Sequence, residues 1–220
     1  MAENHFVTGS RVGHGIYPPE EQKEFIPEKH GFYQQKLTEC FKFKMPEYYK
    51  GICCRNDVGE DAFSWQVKLN GATGDLTFAN LLINRNYRRF VEDIIPVLKD
   101  RDILYIVNKA ANLEGLPFKI KKDFRIGSNC MIDNYGTIDE VKTYIRENDI
   151  KDHIILCSAA SLSNFVIRTC FEDNSNNTFL DIGSCLNPYL GLKGWEYTRG
   201  YLTHYWLNSG SPYGEQVDNW

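Results

Sequence analysis

Residues 153–184 read HIILCSAASLSNFVIRTCFEDNSNNTFLDIGS, and this stretch decides the fold. His153-Ile154-Ile155-Leu156-Cys157 is an apolar run of strand length, too uniformly hydrophobic for a strand with one wet face. Leu162, Phe165, Val166 and Cys170 then recur at the spacing of one buried helix face. Asp173-Asn174-Ser175-Asn176-Asn177 is a turn by composition, and Thr178-Phe179-Leu180-Asp181-Ile182 is a second buried strand. Strand, helix and strand joined by short connections predict a βαβ unit, and hence a parallel sheet with right-handed crossovers.

The same alternation continues toward the N-terminus. Thr137 and Glu140 form a capping-box signature ahead of a helix whose buried stripe is Ile138, Val141 and Ile145. Ile103-Leu104-Tyr105-Ile106-Val107 is a continuous apolar strand, and a weaker strand lies within 118–126. Tyr87, Phe90, Val91, Ile94, Ile95 and Leu98 follow a helical pattern that Pro96 is expected to kink or shorten. Further upstream, Phe41–Met45 and Phe63–Leu69 alternate as half-exposed strands do, and Asn70-Gly71 reads as a turn. Residues 1–30, with Gly13, Gly15, Pro18, Pro19 and Pro27, read as a loosely held arm. The expectation is one α/β domain over 31–220: a Rossmann-like parallel sheet with flanking helices.

Composition narrows the classes. With 42% of its residues hydrophobic and 14% aromatic, a chain of 220 residues can bury a real core. The net charge of −4 argues against a protein that coats nucleic acid. No run approaches the roughly 20 apolar residues of a membrane span. MAENHFVTGSRVGHG has neither a basic start nor an apolar stretch, so no secretory leader and a cytoplasmic location are expected. The seven cysteines are odd in number and partly embedded in apolar runs, which reads as reduced, buried thiols. Their spacing and that of the five histidines match no zinc site.

In an open parallel sheet, ligands bind beyond the carboxyl ends of the strands. Three strand ends here turn polar or small: Asn108-Lys109-Ala110, Ser158-Ala159-Ala160-Ser161 and Asp181-Ile182-Gly183-Ser184. A helix starts at the second, where free N–H groups favour a diphosphate and small side chains admit it to the backbone. Helix capping explains Ser158 and Ser161 equally well. Asp181 is a candidate for a ribose or sugar hydroxyl, with a turn as its alternative. Neither GxGxxG nor GxxxxGK[ST] occurs, so the common dinucleotide and P-loop fingerprints are missing. Phe179–Ser184 also invites comparison with S-adenosylmethionine methyltransferases, but only 36 residues follow Ser184, and they do not read as further βα units.

Taken in order, these features resemble the glycosyltransferases of the GT-D fold, over about residues 75 to 190. Arg85 and Tyr87 match the family's Ser-Arg-Pro-Tyr-like segment, Ser158–Ser161 its small-residue loop, and Asp181-Ile182-Gly183 its Asp-Ile-Gly strand end. The family's Arg-x-Gly-Asp-Gly-Glu segment has an imperfect counterpart in Arg55-Asn56-Asp57-Val58-Gly59-Glu60, followed by Asp61. Cys185-Leu186-Asn187-Pro188-Tyr189 stands where the family often shows acidic residues. The resemblance implies transfer of a hexose or deoxyhexose from a nucleotide-diphosphate sugar to a glycan or glycoprotein acceptor. Alternatives are a non-catalytic nucleotide-sugar or glycan-binding module and, more remotely, a methyltransferase.

Sugar transfer requires an offset for the charge on the departing diphosphate and a base for the acceptor hydroxyl. Asp57, Glu60 and Asp61 are the candidate catalytic carboxylates, with Asp57 and Glu60 the candidate ligands for Mn2+ or Mg2+; a solvated turn explains the same residues. Candidates for holding the nucleotide sugar are Arg85, Tyr87, Asn108, Lys109, Ser158, Ala159, Ala160, Asp181, Gly183 and Arg199. The aromatic residues from Trp195 to Trp220 read as core or a homodimer contact, with an acceptor platform as the alternative.

Overall fold

The computed structural model describes residues 24–71, 74–83 and 86–193. Its centre is a four-stranded sheet of β3 (Ile103–Asn108), β4 (Lys122–Ile126), β5 (Ile154–Cys157) and β6 (Thr178–Asp181). The spatial order is β4-β3-β5-β6 and every pairing is parallel, with Ile106 opposite Phe124 and Cys157, and Cys157 opposite Asp181. The parallel α/β sheet expected from the sequence is therefore present.

The near-uniform hydrophobicity of β3 has a simple cause: both faces of the sheet are covered. Side chains alternate along a strand, so Leu104 and Ile106 enter one core and Ile103, Tyr105 and Val107 the other. Helices cover the first face: α1 (Pro27–Lys42), α6 (Cys130–Asp133), α7 (Thr137–Glu147) and α8 (Ser161–Asp173). The second face is covered by the helical stretch 87–98, the β3–β4 connection and the segment after β6. That connection approaches the last segment so closely that a Cβ on Gly115 would lie 2.3 Å from the Tyr189 carbonyl oxygen.

A second, smaller βαβ unit lies upstream. In it β1 (Lys50–Ile52) pairs in parallel with β2 (Leu76–Phe78), and α2 (Arg55–Val58) and α3 (Glu60–Asn70) intervene. Residues 63–69, expected as a strand, are thus inside α3. The two buried positions of this helix are Gln66 and Asn70, four apart. Gln66 donates to the Ala62 carbonyl and accepts from Cys53 N–H, so a polar anchor decides the state against the apolar alternation. Gly71 closes the helix at a left-handed φ of 84°. Phe41 and Lys42 likewise end α1 instead of forming a strand.

Two smaller expectations are also revised. The arm was placed over residues 1–30, but α1 starts at Pro27 and Phe25 is fully buried; residues 1–23 lie outside the described part. Thr137 does not cap α7. It is the buried first residue of that helix, and the N–H groups of Thr137, Ile138 and Asp139 bond to the carbonyls of Asn134, Tyr135 and Gly136. The helix around Pro96 is divided into α4 (Tyr87–Arg89), a wide π turn (Phe90–Ile94) and α5 (Ile95–Leu98). Ile95 N–H reaches five residues back to the Phe90 carbonyl, and the wider turn accommodates the proline ring.

Candidate functional site

The direction of the chain creates the site. Leaving β3, the chain crosses to β4 over the second face, through Ala111, Leu116 and Phe118. Leaving β5, it crosses the other way to β6 over the first face, through α8. The crossovers therefore diverge between the carboxyl ends of β3 and β5, which is the topological switch point where open α/β sheets take ligands. Because the strands are parallel and adjacent, Asn108, Ser158 and Asp181 all end on this one rim.

Each strand end is held by its own side chains. Asn108 Oδ1 accepts the Ala110 N–H at 2.9 Å, and exposed Lys109 gives its N–H to the Ile126 carbonyl at 2.8 Å. Exposed Asp181 closes a similar turn, accepting the Gly183 N–H at 3.0 Å. Gly183 has a φ of 49°, and a Cβ there would meet nothing within 4 Å, so backbone conformation and not space calls for glycine. At β5, half-buried Ser158 sends its N–H to the Ile106 carbonyl and pairs its Oγ with the Tyr105 hydroxyl at 2.8 Å. Burial pushes the Tyr105 phenol well above its usual pKa, so it stays protonated.

The loop into α8 is more constrained than its small residues suggest. Ala159 is buried, its N–H donates to Ser163 Oγ at 3.2 Å, and its carbonyl accepts from the Cys130 thiol at 3.1 Å. Its backbone is thus already engaged by the fold, contrary to the expected ligand contact. Ala160 carries φ 44° and ψ −134°, an unfavourable conformation for a residue with a Cβ. Tyr87 is also corrected: it is 1% exposed, stacks on Phe90 and donates its hydroxyl to the Cys185 carbonyl at 3.0 Å. Its position ties down the segment after β6 and faces no solvent.

Two groups that support the rim were missed in the sequence. One is Tyr105. The other is Arg125 on β4, whose Nη1 donates to the carbonyls of Ala111 at 2.6 Å and Asn108 at 3.4 Å and so fixes the turn that carries Lys109. Its guanidinium also pairs with Asp123. Arg85, Arg199 and the side chain of Asp57 lie outside the described residues, as do the aromatic residues from Trp195 onward.

The carboxylates expected to be catalytic lie outside the four-stranded sheet. Glu60 and Asp61 occupy the exposed first turn of α3, in the smaller βαβ unit. Glu60 Oε2 lies 2.6 Å from Arg55 Nε, its Oε1 accepts from Ser64 at 3.2 Å, and Arg55 in turn lies over the Phe63 ring. Among the described residues, no three His, Cys, Asp or Glu side chains gather as a metal-binding group. Glu60 is engaged by Arg55 and Ser64, and the side chain of Asp57, its expected partner in holding Mn2+ or Mg2+, lies outside the described residues. All seven cysteines carry reduced thiols. No helix among the described residues is long and apolar enough to cross a membrane.

Compared with known proteins, the chain matches no family model, no curated sequence and no solved structure.

Proposed function

We propose that this chain is a glycosyltransferase that uses a nucleotide-diphosphate sugar and delivers the sugar to a glycan or glycoprotein acceptor. The observation that carries the reading is the gathering of Asn108, Ser158 and Asp181 on one rim, at the point where the crossovers diverge. In this reading a diphosphate lies beside Ser158 and the start of the thirteen-residue α8, where the helix dipole favours negative charge. Asp181 at the neighbouring strand end suits a ribose or sugar hydroxyl. Exposed Lys109 supplies a cation at the same edge. In this reading the base for the acceptor hydroxyl is Glu60 or Asp61, in the first turn of α3.

The engagement of Glu60 by Arg55 favours a second reading, a module that binds nucleotide sugars without turning them over. One assay separates the two. The protein is incubated with uridine, guanosine and thymidine diphosphate sugars and a glycan panel, with and without manganese, and released nucleotide is measured. Release above the uncatalysed rate, lost in Glu60→Gln, is expected of the enzyme. Saturable binding without release points to the module. Absence of binding by every donor refutes both.

A further inference from the structure

We propose that Tyr105 is a positioning residue that turns the Ser158 hydroxyl outward, so that Ser158 donates its hydrogen to a phosphate oxygen bound at the rim. The argument begins from burial. Tyr105 is 0% exposed and lies in the second core with Val107, Leu156 and Cys185. Among the described residues, the one hydrogen-bond partner of its hydroxyl is Ser158 Oγ, at 2.8 Å. A hydroxyl in apolar surroundings loses most when its own hydrogen finds no acceptor. Among the described residues Tyr105 has no other acceptor to turn to, whereas Ser158 is half-buried and reaches the rim. The bond is therefore polarised by its surroundings: Tyr105 donates and Ser158 accepts.

That direction has a chemical consequence. With one lone pair of Oγ occupied from below, the Ser158 hydrogen is directed away from the core, and among the described residues it has no acceptor of its own. Ser158 precedes α8 by three residues, so the hydrogen is presented beside the N-terminus of that helix, on the side where negative charge is favoured. An oxygen of a phosphoryl group is the acceptor that fits both features. A hydroxyl restricted in this way has less rotor freedom to lose on binding, and this is how a residue that never touches the ligand raises affinity. The assignment rests on the nucleotide-sugar reading, because that reading places the diphosphate here.

The test is a double-mutant cycle with two readouts: calorimetric affinity for uridine, guanosine and thymidine diphosphate, and thermal unfolding. For whichever nucleotide the wild type binds, Tyr105→Phe is expected to weaken affinity about tenfold and Ser158→Ala by at least as much. Tyr105→Phe combined with Ser158→Ala should be no weaker than Ser158→Ala alone, since Tyr105 acts only through Ser158. The double variant should also melt above Ser158→Ala, because it no longer buries an unpaired phenol. Wild-type affinity in Tyr105→Phe, or losses that multiply in the double variant, overturn the assignment. So does a Ser158→Ala protein that melts with the wild type, since Tyr105 would then have another acceptor. A wild type that binds none of the three nucleotides overturns the proposed function together with the ligand named here.

Discussion

Removing the Ser158 hydroxyl leaves the Tyr105 O–H enclosed in the core without an acceptor, whereas removing the Tyr105 hydroxyl leaves Ser158 free to turn to water. The two truncations are therefore unequal. Ser158→Ala is expected to destabilise the fold by about 1–3 kcal/mol and Tyr105→Phe by less than about 1 kcal/mol, as urea unfolding would measure. Ser158 was legible in the sequence because a polar residue at the end of an apolar run stands out. Tyr105 was not, because one aromatic residue inside Ile103–Val107 reads as core, and core it is. Only the register, with Tyr105 opposite Leu156 and hence two positions before Ser158, brings the hydroxyls together. Tyr87 teaches the reverse. Its place in a buried helical stripe and its match to a family segment pointed in different directions, and its 1% exposure agrees with the stripe.

Contacts between elements carry two further expectations. The β3–β4 connection lies against the segment after β6, with no room at Gly115 for a side chain beside the Tyr189 carbonyl. Gly115→Ala should force the two segments apart and cost about 1–3 kcal/mol, seen as a lower urea midpoint; an unchanged midpoint would mean that the connection shifts freely. On the opposite face, Glu39 of α1 meets Arg168 of α8 at 3.4 Å and Lys36 at 2.9 Å. The hydrogen bond from Lys36, with a lesser one from Arg168, holds the Glu39 carboxyl below its ordinary pKa. A depressed carboxylate stabilises the fold above its unfolded pKa and loses that contribution as pH falls through the folded value. Glu39→Gln should therefore narrow its stability deficit relative to wild type as pH drops below about 4.3, in melts from pH 7 to 3. Helices such as α7 and α8 were legible because their apolar spacing agrees with their burial. The state of α3 was not, because Gln66 and Asn70 define its inner face and no hydrophobic pattern reports them.

Across the molecule, burial sorts the thiols. Cys40, Cys130, Cys157, Cys170 and Cys185 are buried, and Cys53 and Cys54 are half-buried. Burial pushes Cys40 up to about 11 and Cys170 to about 12, and raises Cys157 well above the usual thiol range. Little thiolate exists at these sites at neutral pH. Brief alkylation of the native protein should therefore label Cys53 and Cys54 first, and the other five only after unfolding, as peptide mass spectrometry would resolve; early labelling of Cys157 would contradict the packing. The parallel arrangement was legible because strand and helix alternate with short connections. The smaller βαβ unit was not: its strands are three residues long and their partner lies across an intervening helix pair.

The two coverings of the sheet are built from different materials, and any crevice at the switch point between β3 and β5 would have one wall of each. Long hydrogen-bonded helices open only cooperatively, whereas irregular backbone opens piecemeal. Amide exchange should accordingly be slow in 161–173 and much faster in 109–120. An occupant lodged in the crevice would then announce itself on one wall alone, as newly protected amides in the softer one.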